Sequence, residues 1–225
     1  MLIGLLALPL FAMALPGLGS HGIHPVSVLI VAGYVLGLRL TRGAERAPMW
    51  QPRLTSETPP EKAADETPPL SVVQTWLSFI ALAALVSVCG WVLSQVAPTL
   101  SAQVGMDQSL MGGIFTATAT SLPELVVAVT AVRRGSLSLA VGDILGGNSY
   151  DLLILVLLDA VYREGTIYSA VGPAEMAWVV LSIVLVSTLM LGLLRRQKHG
   201  VGNVGFETVL MLALYAGGVA AITLS

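Results

Sequence analysis

Charged residues are scarce in this sequence, and their scarcity excludes most soluble proteins. Lys, Arg, Asp and Glu make up 11% of the 225 residues, whereas a soluble domain carries about 25%. Hydrophobic residues reach 55%, and the mean hydropathy is +0.84. A chain of this composition has too few polar side chains to cover a folded core, and it is too apolar to stay disordered in water.

Cysteine is almost absent as well, since Cys89 is the single one. One cysteine cannot form an intramolecular disulfide, which excludes a disulfide-stabilised secreted scaffold. Because Cys89 lies within an apolar run, we expect it to be a small buried hydrophobic residue without a redox role.

Basic surfaces, nucleotide-binding loops and metal-binding spacings are also lacking. The 11 Lys and Arg residues are outnumbered by 13 Asp and Glu residues, so the sequence indicates no nucleic-acid partner. No Gly-rich loop ends in a phosphate-binding Lys, and His and Cys are not spaced as in transition-metal sites. The connections between apolar runs are too short for a soluble catalytic domain. We therefore expect neither an enzyme nor a bound cofactor.

Long apolar runs are what the sequence has in abundance. A helix of about 20 apolar residues crosses a bilayer, and seven candidate spans approach this length. They cover residues 2–17, 25–40, 73–96, 109–132, 138–161, 172–195 and 204–224. No Lys or Arg precedes Arg39, so the first run is not typical of a cleaved signal peptide. The sequence predicts an all-α fold, a polytopic bundle of about seven spans embedded in lipid.

The basic residues predict the orientation of these spans. If the spans alternate in direction, ten of the eleven Lys and Arg residues fall on one side, and only Arg163 falls on the other. The positive-inside rule makes the richer side cytoplasmic, which places the N-terminus inside, in a plasma or inner membrane. A polar stretch rich in Pro, Glu and Thr is typical of a flexible linker. The predicted domains are a two-span hairpin (1–40), a cytoplasmic linker (41–72) and a five-span block (73–225).

Three carboxylates lie well inside apolar runs, those of Glu124, Asp143 and Asp151. A charged group at the bilayer centre costs at least about 2.5–3.5 kcal/mol, so each is a candidate functional residue. Asp143 lies near the cytoplasmic turn, where it either lines an inner vestibule or is solvated. The carboxylates near span ends are expected to be solvated at the interface. They are Asp107, Asp159, Glu164, Glu175 and Glu207.

The segment around Glu124 presents oxygen ligands on one helix face. Ala117, Thr120 and Glu124 follow each other at spacings of three and four residues, which place them side by side on a helix. Pro123 has no N–H, and its ring clashes with the carbonyl four residues earlier. We expect the helix to kink or open there and to turn the carbonyls near 117–120 into the bundle. Hydroxyl, carbonyl and carboxylate oxygens suit hard cations such as Ca²⁺ and Na⁺.

The next span carries a matching segment, in which Gly147, Asn148 and Asp151 share one helix face. A short turn joins the two spans into an antiparallel hairpin, so we expect Glu124 and Asp151 at similar depths. Two carboxylates without a basic partner repel each other unless a cation lies between them or one is protonated. Both a cation site and a structural, protonated carboxyl fit this pattern. Asn148 either caps a helix end, forms a hydrogen bond to another helix or coordinates the ion.

The segments TSLPE (120–124) and GDILGGNSYD (142–151) together resemble one α-repeat of the cation/Ca²⁺ antiporter superfamily, whose best-known members are the sodium/calcium exchangers. The resemblance implies half of a ten-span fold built from two inverted five-span halves, with ion sites at the midplane. It implies that Glu124 is the central Ca²⁺ and Na⁺ carboxylate of this half. It also implies a hydroxyl and carbonyl ligand at Thr120, a carbonyl ligand at Ala117 and the second acidic residue at Asp151.

The sequence also departs from the family pattern. Ala119 replaces a Gly, and Gly147 replaces a Ser whose hydroxyl coordinates Na⁺ in the family, which leaves coupling to H⁺ open. Residues 1–72 contain no other segment of the TSLPE type. We therefore expect a second half-exchanger polypeptide, since parallel copies of one chain cannot rebuild an inverted repeat. The implied function is antiport of Ca²⁺ against Na⁺ or H⁺, and the alternative is a non-transporting membrane subunit.

Overall fold

The structure is a computed structural model that describes residues 1–19, 22–46, 71–195 and 205–224. All regular elements in these ranges are helical, as predicted. The α-helices are α1 (Leu2–Ala14), α2 (Pro25–Arg46), α3 (Val72–Val104), α4 (Gln108–Leu110), α5 (Ala117–Arg133), α6 (Leu137–Val161), α7 (Pro173–Arg195) and α8 (Phe206–Leu224). A π-helical turn, Met111–Thr116, joins α4 to α5, and 3-10 turns cover Pro16–Gly19 and Ile167–Ser169.

Six described segments are long and apolar enough to cross a membrane, which confirms the prediction of a polytopic helix bundle. They are α2, α3, the continuous segment from α4 through α5, α6, α7 and α8. Helix α1 has 13 residues and is about 20 Å long, shorter than a hydrocarbon core of about 30 Å. The predicted span 2–17 therefore ends early, at Ala14, because Pro16 begins a separate 3-10 turn.

Helix α3 is longer than the predicted span 73–96, because both of its ends are capped. At its start the Ser71 hydroxyl accepts a hydrogen bond from the Gln74 backbone, and the Gln74 side chain accepts one from the Ser71 N–H. This capping box satisfies two N–H groups that would otherwise lack partners. At its end Gly105 adopts a left-handed conformation with φ of 65°, which a residue without Cβ tolerates.

The chain divides into two compact units. The first contains α1, α2, the part of α6 from Ile144 onward, α7 and α8, and the second contains α3, α4, α5 and the start of α6 up to Asp143. In the second unit Cys89 is exposed on α3, so the expectation that it is buried is wrong. Its helix exposes large apolar side chains along most of its length, as lipid-facing helices do.

In the first unit the hairpin formed by α1 and α2 packs against α7 through α1. Helix α1 contacts α2 and α7, and α7 contacts α8. A buried apolar cluster joins the hairpin to α6 and to the 3-10 turn before α7. Its members are Leu2, Leu5, Ala12, Val26, Ile30, Leu152 and Tyr168. Helix α2 runs past the predicted boundary at residue 40 and ends at Arg46.

A glycine at the contact of α7 and α8 leads to a testable prediction. A Cβ added to Gly218 would lie 2.6 Å from Leu181 Cδ2 and 3.3 Å from its Cγ, whereas a Cβ on Gly217 would meet no atom within 4 Å. We expect Gly218→Val to lower the free energy of unfolding by about 1–3 kcal/mol through overpacking. Thermal unfolding in detergent measures this, with Gly217→Val as the matched control. Equal losses in both variants would contradict the prediction.

Candidate ion-binding site

Pro123 lies inside α5, which continues as an α-helix from Ala117 to Arg133. The helix therefore does not open at Pro123, and the irregular backbone lies earlier, in the π-helical turn Met111–Thr116. The other expectation, a kink at Pro123, stays a prediction. Pro123 donates no hydrogen bond to the Ala119 carbonyl, but the hydrogen bonds of the neighbouring residues keep α5 continuous. Such π-helical turns occur frequently at functional sites.

The Thr120 hydroxyl binds two carbonyl oxygens of the preceding turn. Its Oγ1 lies 3.0 Å from the carbonyl oxygen of Thr116 and 3.1 Å from that of Ala117, so its single hydrogen is shared between them. The lone pairs of the hydroxyl stay available as acceptors or metal ligands. The structure thus brings together the predicted oxygens of Ala117 and Thr120.

Glu124 follows Thr120 by one helical turn and is exposed. Its apolar neighbours Leu122 and Leu125 are also exposed, by 52% and 57%, as expected of a membrane-spanning segment. A carboxylate cannot face hydrocarbon in this setting without a cost of at least about 2.5–3.5 kcal/mol. Glu124 on this face of α5 therefore needs a cation, water or another polypeptide segment beside it, or its carboxyl must be protonated.

The turn between α5 and α6 has the short form that the hairpin prediction requires. Gly135 adopts a positive φ of 80°, and the Ser136 N–H donates to the Ala131 carbonyl at 2.9 Å. Ala128, Ala131 and Ala140 form a small buried cluster beside the turn. Small side chains allow two membrane helices to approach closely, so the end of α5 and the start of α6 are packed directly against each other.

On α6 the predicted ligands Asn148 and Asp151 are both exposed. The Asn148 side-chain nitrogen donates to the Ile144 carbonyl at 2.7 Å, which leaves the side-chain oxygen as an acceptor. Nearer the turn, Asp143 is half-buried, and its Oδ2 has no hydrogen-bond partner among the described atoms. Glu124 and Asp151 belong to different compact units, and their pairing around a cation stays a prediction.

A cavity of about 190 Å³ opens beside the π-helical turn in the second unit. Four of its lining side chains are polar, and it has room for several water molecules at about 30 Å³ each. Its lining residues are Ser94, Ala97, Pro98, Ser101, Gln108, Met111, Gly112 and Thr116. Thr116 lines the cavity, and its carbonyl accepts a hydrogen bond from the Thr120 hydroxyl. The cavity therefore lies next to the predicted ligands of α5.

A second polar cluster, which sequence reasoning missed, lies at the carboxyl-terminal end of α6. Asp159 is 1% exposed, so the expectation that it is solvated is wrong. Its Oδ2 accepts from the His24 N–H at 2.8 Å and the Ser27 hydroxyl at 2.7 Å, and its Oδ1 accepts from the Ile167 N–H at 3.1 Å. We call His24, Ser27, Asp159 and Tyr168 the Asp159 cluster. The hairpin partners lie up to 135 residues earlier, so no local signal indicates them.

Hydrogen-bond directions within the Asp159 cluster follow from the donors available. Ser27 gives its only hydrogen to Asp159, so the Tyr168 hydroxyl, 3.0 Å from Ser27 Oγ, donates to Ser27. The His24 Nδ1 accepts from the Val26 N–H at 3.2 Å. The network therefore assigns the proton of neutral His24 to Nε2, which donates to a carbonyl just after α1 at 3.2 Å. Every polar group of the cluster is satisfied when Asp159 is ionised.

Tyr168 gives the cluster a predicted pH dependence. Burial raises the pKa of the Tyr168 hydroxyl, and the nearby Asp159 charge adds to this rise. The unfolded chain then loses this proton at a lower pH than the folded protein. The contribution of the Tyr168 hydroxyl to stability is therefore fully present below the unfolded pKa of about 10. It is lost as the pH rises through the pKa of the folded protein.

We expect Tyr168→Phe to flatten this alkaline loss of stability, because the variant has no hydroxyl to ionise. Unfolding temperatures in detergent between about pH 8 and about pH 11 measure the slope around the ordinary tyrosine pKa. The same substitution at Tyr162 is the control and should keep the wild-type slope. A Tyr168→Phe slope equal to that of the wild type would contradict the prediction.

Three known proteins are similar in sequence to parts of this chain. The chain is 31% identical over 172 residues to the putative antiporter CaxA of Alkalimonas amylolytica, covering 75% of this chain and 52% of that protein. It is 31% identical over 130 residues to the inner membrane protein YrbG of Escherichia coli, covering 58% and 38%. It is 26% identical over 119 residues to the sodium/calcium exchanger MaX1 of Methanosarcina acetivorans, covering 50% and 32%.

The chain thus spans about half the length of CaxA, and less of the other two relatives. No solved structure matches it at a significant level. The family model described as sodium/calcium exchanger protein matches residues 74–224, from the start of α3 to the end of α8. Both predicted ligand segments lie within this match, and the chain therefore belongs to the sodium/calcium exchanger family.

Proposed function

We propose that this chain forms one half of a membrane antiporter that exchanges Ca²⁺ for Na⁺ or H⁺. The observation that carries the proposal is the set of oxygens on α5, where the Thr120 hydroxyl lies 3.1 Å from the Ala117 carbonyl oxygen and one turn before the exposed carboxylate of Glu124. Hard cations prefer such oxygen ligands. Membership of a family of cation antiporters supports the same function.

The ligands from α6 complete this half of the proposed site. Asn148 contributes its side-chain oxygen and Asp151 its carboxylate, so that the two carboxylates neutralise a divalent cation. When Ca²⁺ leaves, Na⁺ ions or protons neutralise the same groups. Competition for one set of carboxylates couples the two fluxes, and the neutralised site allows alternating access to the two sides of the membrane.

A second polypeptide segment with another α-repeat is part of this proposal. Ca²⁺ takes six to eight oxygen ligands, and the predicted ligands of this chain reach only about six when each carboxylate binds through one oxygen. Glu124, Asn148 and Asp151 are all exposed within apolar helices, and exposed polar groups in a span require protein or water beside them. We place the further ligands in the part of the complete transporter that lies outside this chain, which covers 52% of the length of CaxA.

The proposed orientation places the basic connections in the cytoplasm of a plasma or inner membrane, and it places the N-terminus there as well provided that the 13-residue α1 also crosses the bilayer. It follows from the positions of ten of the eleven Lys and Arg residues and the positive-inside rule. The cavity beside the π-helical turn then lies towards the outer half of the second unit, because α3 ends and α4 begins on that side.

Uptake of ⁴⁵Ca²⁺ by vesicles that contain the complete transporter tests the proposal. An outward gradient of Na⁺ or of H⁺ should drive accumulation, and the gradient that works identifies the coupling ion. Absence of uptake with both gradients, together with absence of Ca²⁺ binding by calorimetry, would contradict transport. That result would favour a non-transporting membrane subunit instead.

Gly147 leads to a prediction about the coupling ion. Within its own compact unit, a Cβ added to Gly147 meets no described atom within 4 Å, so a serine fits there. We expect Gly147→Ser to supply a hydroxyl ligand and to increase the Na⁺ dependence of Ca²⁺ uptake by about 10-fold, the range of ligand-shell changes at metal sites. Gly147→Ala, which adds bulk without oxygen, is the control. Identical Na⁺ dependence in the two variants would contradict the role of the hydroxyl.

A further inference from the structure

The Asp159 cluster joins parts of the chain that are far apart in sequence. Asp159 lies in the last turn of α6, whereas His24 and Ser27 lie at the start of α2, and Tyr168 lies before α7. All four residues are at most 1% exposed. The carboxylate therefore connects the N-terminal hairpin to the five-span block away from solvent, and it does so entirely within the first compact unit.

The chemistry of the Asp159 cluster makes the connection specific. A buried carboxylate is stable only when hydrogen-bond donors replace water, and Asp159 receives two donors from the hairpin and one from the Ile167 backbone. The negative charge also lies at the amino-terminal end of the 22-residue helix α2, where the helix dipole favours an anion. If the hairpin moved away, Asp159 would lose two of these donors and the favourable end of the dipole.

Close backbone packing surrounds the same point. Gly19, at the end of the 3-10 turn after α1, is so close to Thr166 that an added Cβ would overlap its methyl group. The rings of His24 and Tyr168 make an edge contact, with centroids 5.3 Å apart. The hairpin therefore approaches the connection between α6 and α7 without room for a side chain at Gly19.

Helix α6 links this point to the proposed ion site. Asp151 precedes Asp159 by eight residues on the same continuous helix, which corresponds to about 12 Å. We infer that Asp159 is a positioning residue, whose buried carboxylate fastens the α1–α2 hairpin to the end of α6 and so holds the helix that carries Asn148 and Asp151. This role rests on the proposed function, because it acts on the ligands named there, but the fastening itself is measurable without transport.

The fastening is tested by cutting the full-length protein within the predicted linker. A protease site is placed between residues 47 and 70, the purified protein is cleaved in mild detergent, and an affinity tag on the hairpin recovers the bound remainder. We expect Asp159→Asn to reduce the recovered fraction at least about two-fold, because an amide offers one acceptor oxygen where the carboxylate offers two. Glu164→Gln, at an exposed carboxylate in the next connection, is the matched control. Equal recovery in both variants overturns the inference.

The positioning role is tested by a covalent replacement of the fastening. In a Cys89→Ala background, one cysteine is placed on the hairpin and one on the connection between α6 and α7, at a pair of positions outside the Asp159 cluster whose Cα atoms lie within disulfide reach. We expect Asp159→Asn to lower Ca²⁺ uptake of the complete transporter about 10-fold, as loss of an outer partner does at metal sites. Oxidation of the cysteine pair should then restore uptake, and reduction should remove it again. The same pair with Asp159 intact controls for the effect of the cysteines.

The possible outcomes separate the two proposals. Rescue by the disulfide supports a positioning role, because a disulfide replaces the connection and not the charge. Failure of the oxidised pair to rescue, with normal transport by the control pair, overturns positioning and leaves a direct role for the charge. If the wild-type transporter takes up no Ca²⁺, the proposed function fails, while recovery of the cleaved hairpin still decides whether Asp159 fastens it.

Discussion

Replacing Glu124 with Gln in the complete transporter should abolish Ca²⁺ uptake. The amide has nearly the same size as the carboxylate, and Glu124 is exposed on α5, so the helix and its Thr120 hydrogen bonds should remain intact. What disappears is the negative charge that neutralises the cation. Loss of a direct metal ligand lowers activity more than loss of a residue that only orients a ligand. We therefore expect the uptake rate to decrease by at least about 100-fold.

The initial rate of ⁴⁵Ca²⁺ uptake by vesicles measures this effect. Glu164→Gln makes the same chemical change at an exposed carboxylate between α6 and α7, and it should leave the rate unchanged. The amount of each variant in the membrane is measured in parallel. An uptake rate near that of the wild type for Glu124→Gln, with normal protein amounts, would remove Glu124 from the site.

Replacing Asp151 with Asn should weaken the binding of Ca²⁺ more than the binding of the competing monovalent ion. Divalent cations depend more strongly on the number of carboxylate charges than monovalent ions do, because the Coulomb energy scales with ion charge. Asn148, three residues earlier, keeps its bond to Ile144 and preserves the local helix. We expect the Ca²⁺ concentration for half-maximal uptake to rise by about 10- to 100-fold.

The Ca²⁺ dependence of uptake at fixed Na⁺ and fixed pH measures the change at Asp151. Tyr150→Phe, at the exposed neighbouring position, is the control for disturbance of α6. If Asp151→Asn lowered the maximal rate without changing the Ca²⁺ dependence, Asp151 would not be a ligand. That result would favour the alternative of a structural, protonated carboxyl at this position.

The positions of the spans were predictable because transfer into a bilayer depends on local composition. An apolar run of sufficient length becomes a helix that satisfies its own backbone, whatever the neighbouring helices do. The ends of the helices were less predictable, since they depend on capping. Helix α3 extends to Val104, where Gly105 caps it in a left-handed conformation. The irregular turn lies before Ala117 and not at the proline, Pro123.

The predicted ligands were also found from local information. The position of a carboxylate within an apolar run shows that it lies inside a span. The contact of Thr120 with Ala117 follows from their spacing on one helix. The two motif segments, at a defined separation, resemble the family, and the family model that matches residues 74–224 includes both of them. By itself, the sequence determined the membrane class, the family and the candidate carboxylates, since each depends on residues close to each other in the chain.

Only the tertiary structure decided the role of Asp159. In sequence it resembles Glu164, because both carboxylates lie near the end of the same span. In the structure Glu164 is exposed, whereas Asp159 is buried against His24 and Ser27, residues more than 130 positions earlier. Whether a carboxylate near a helix end meets water or buried donors depends on which helix packs there, and that packing is a property of the whole fold.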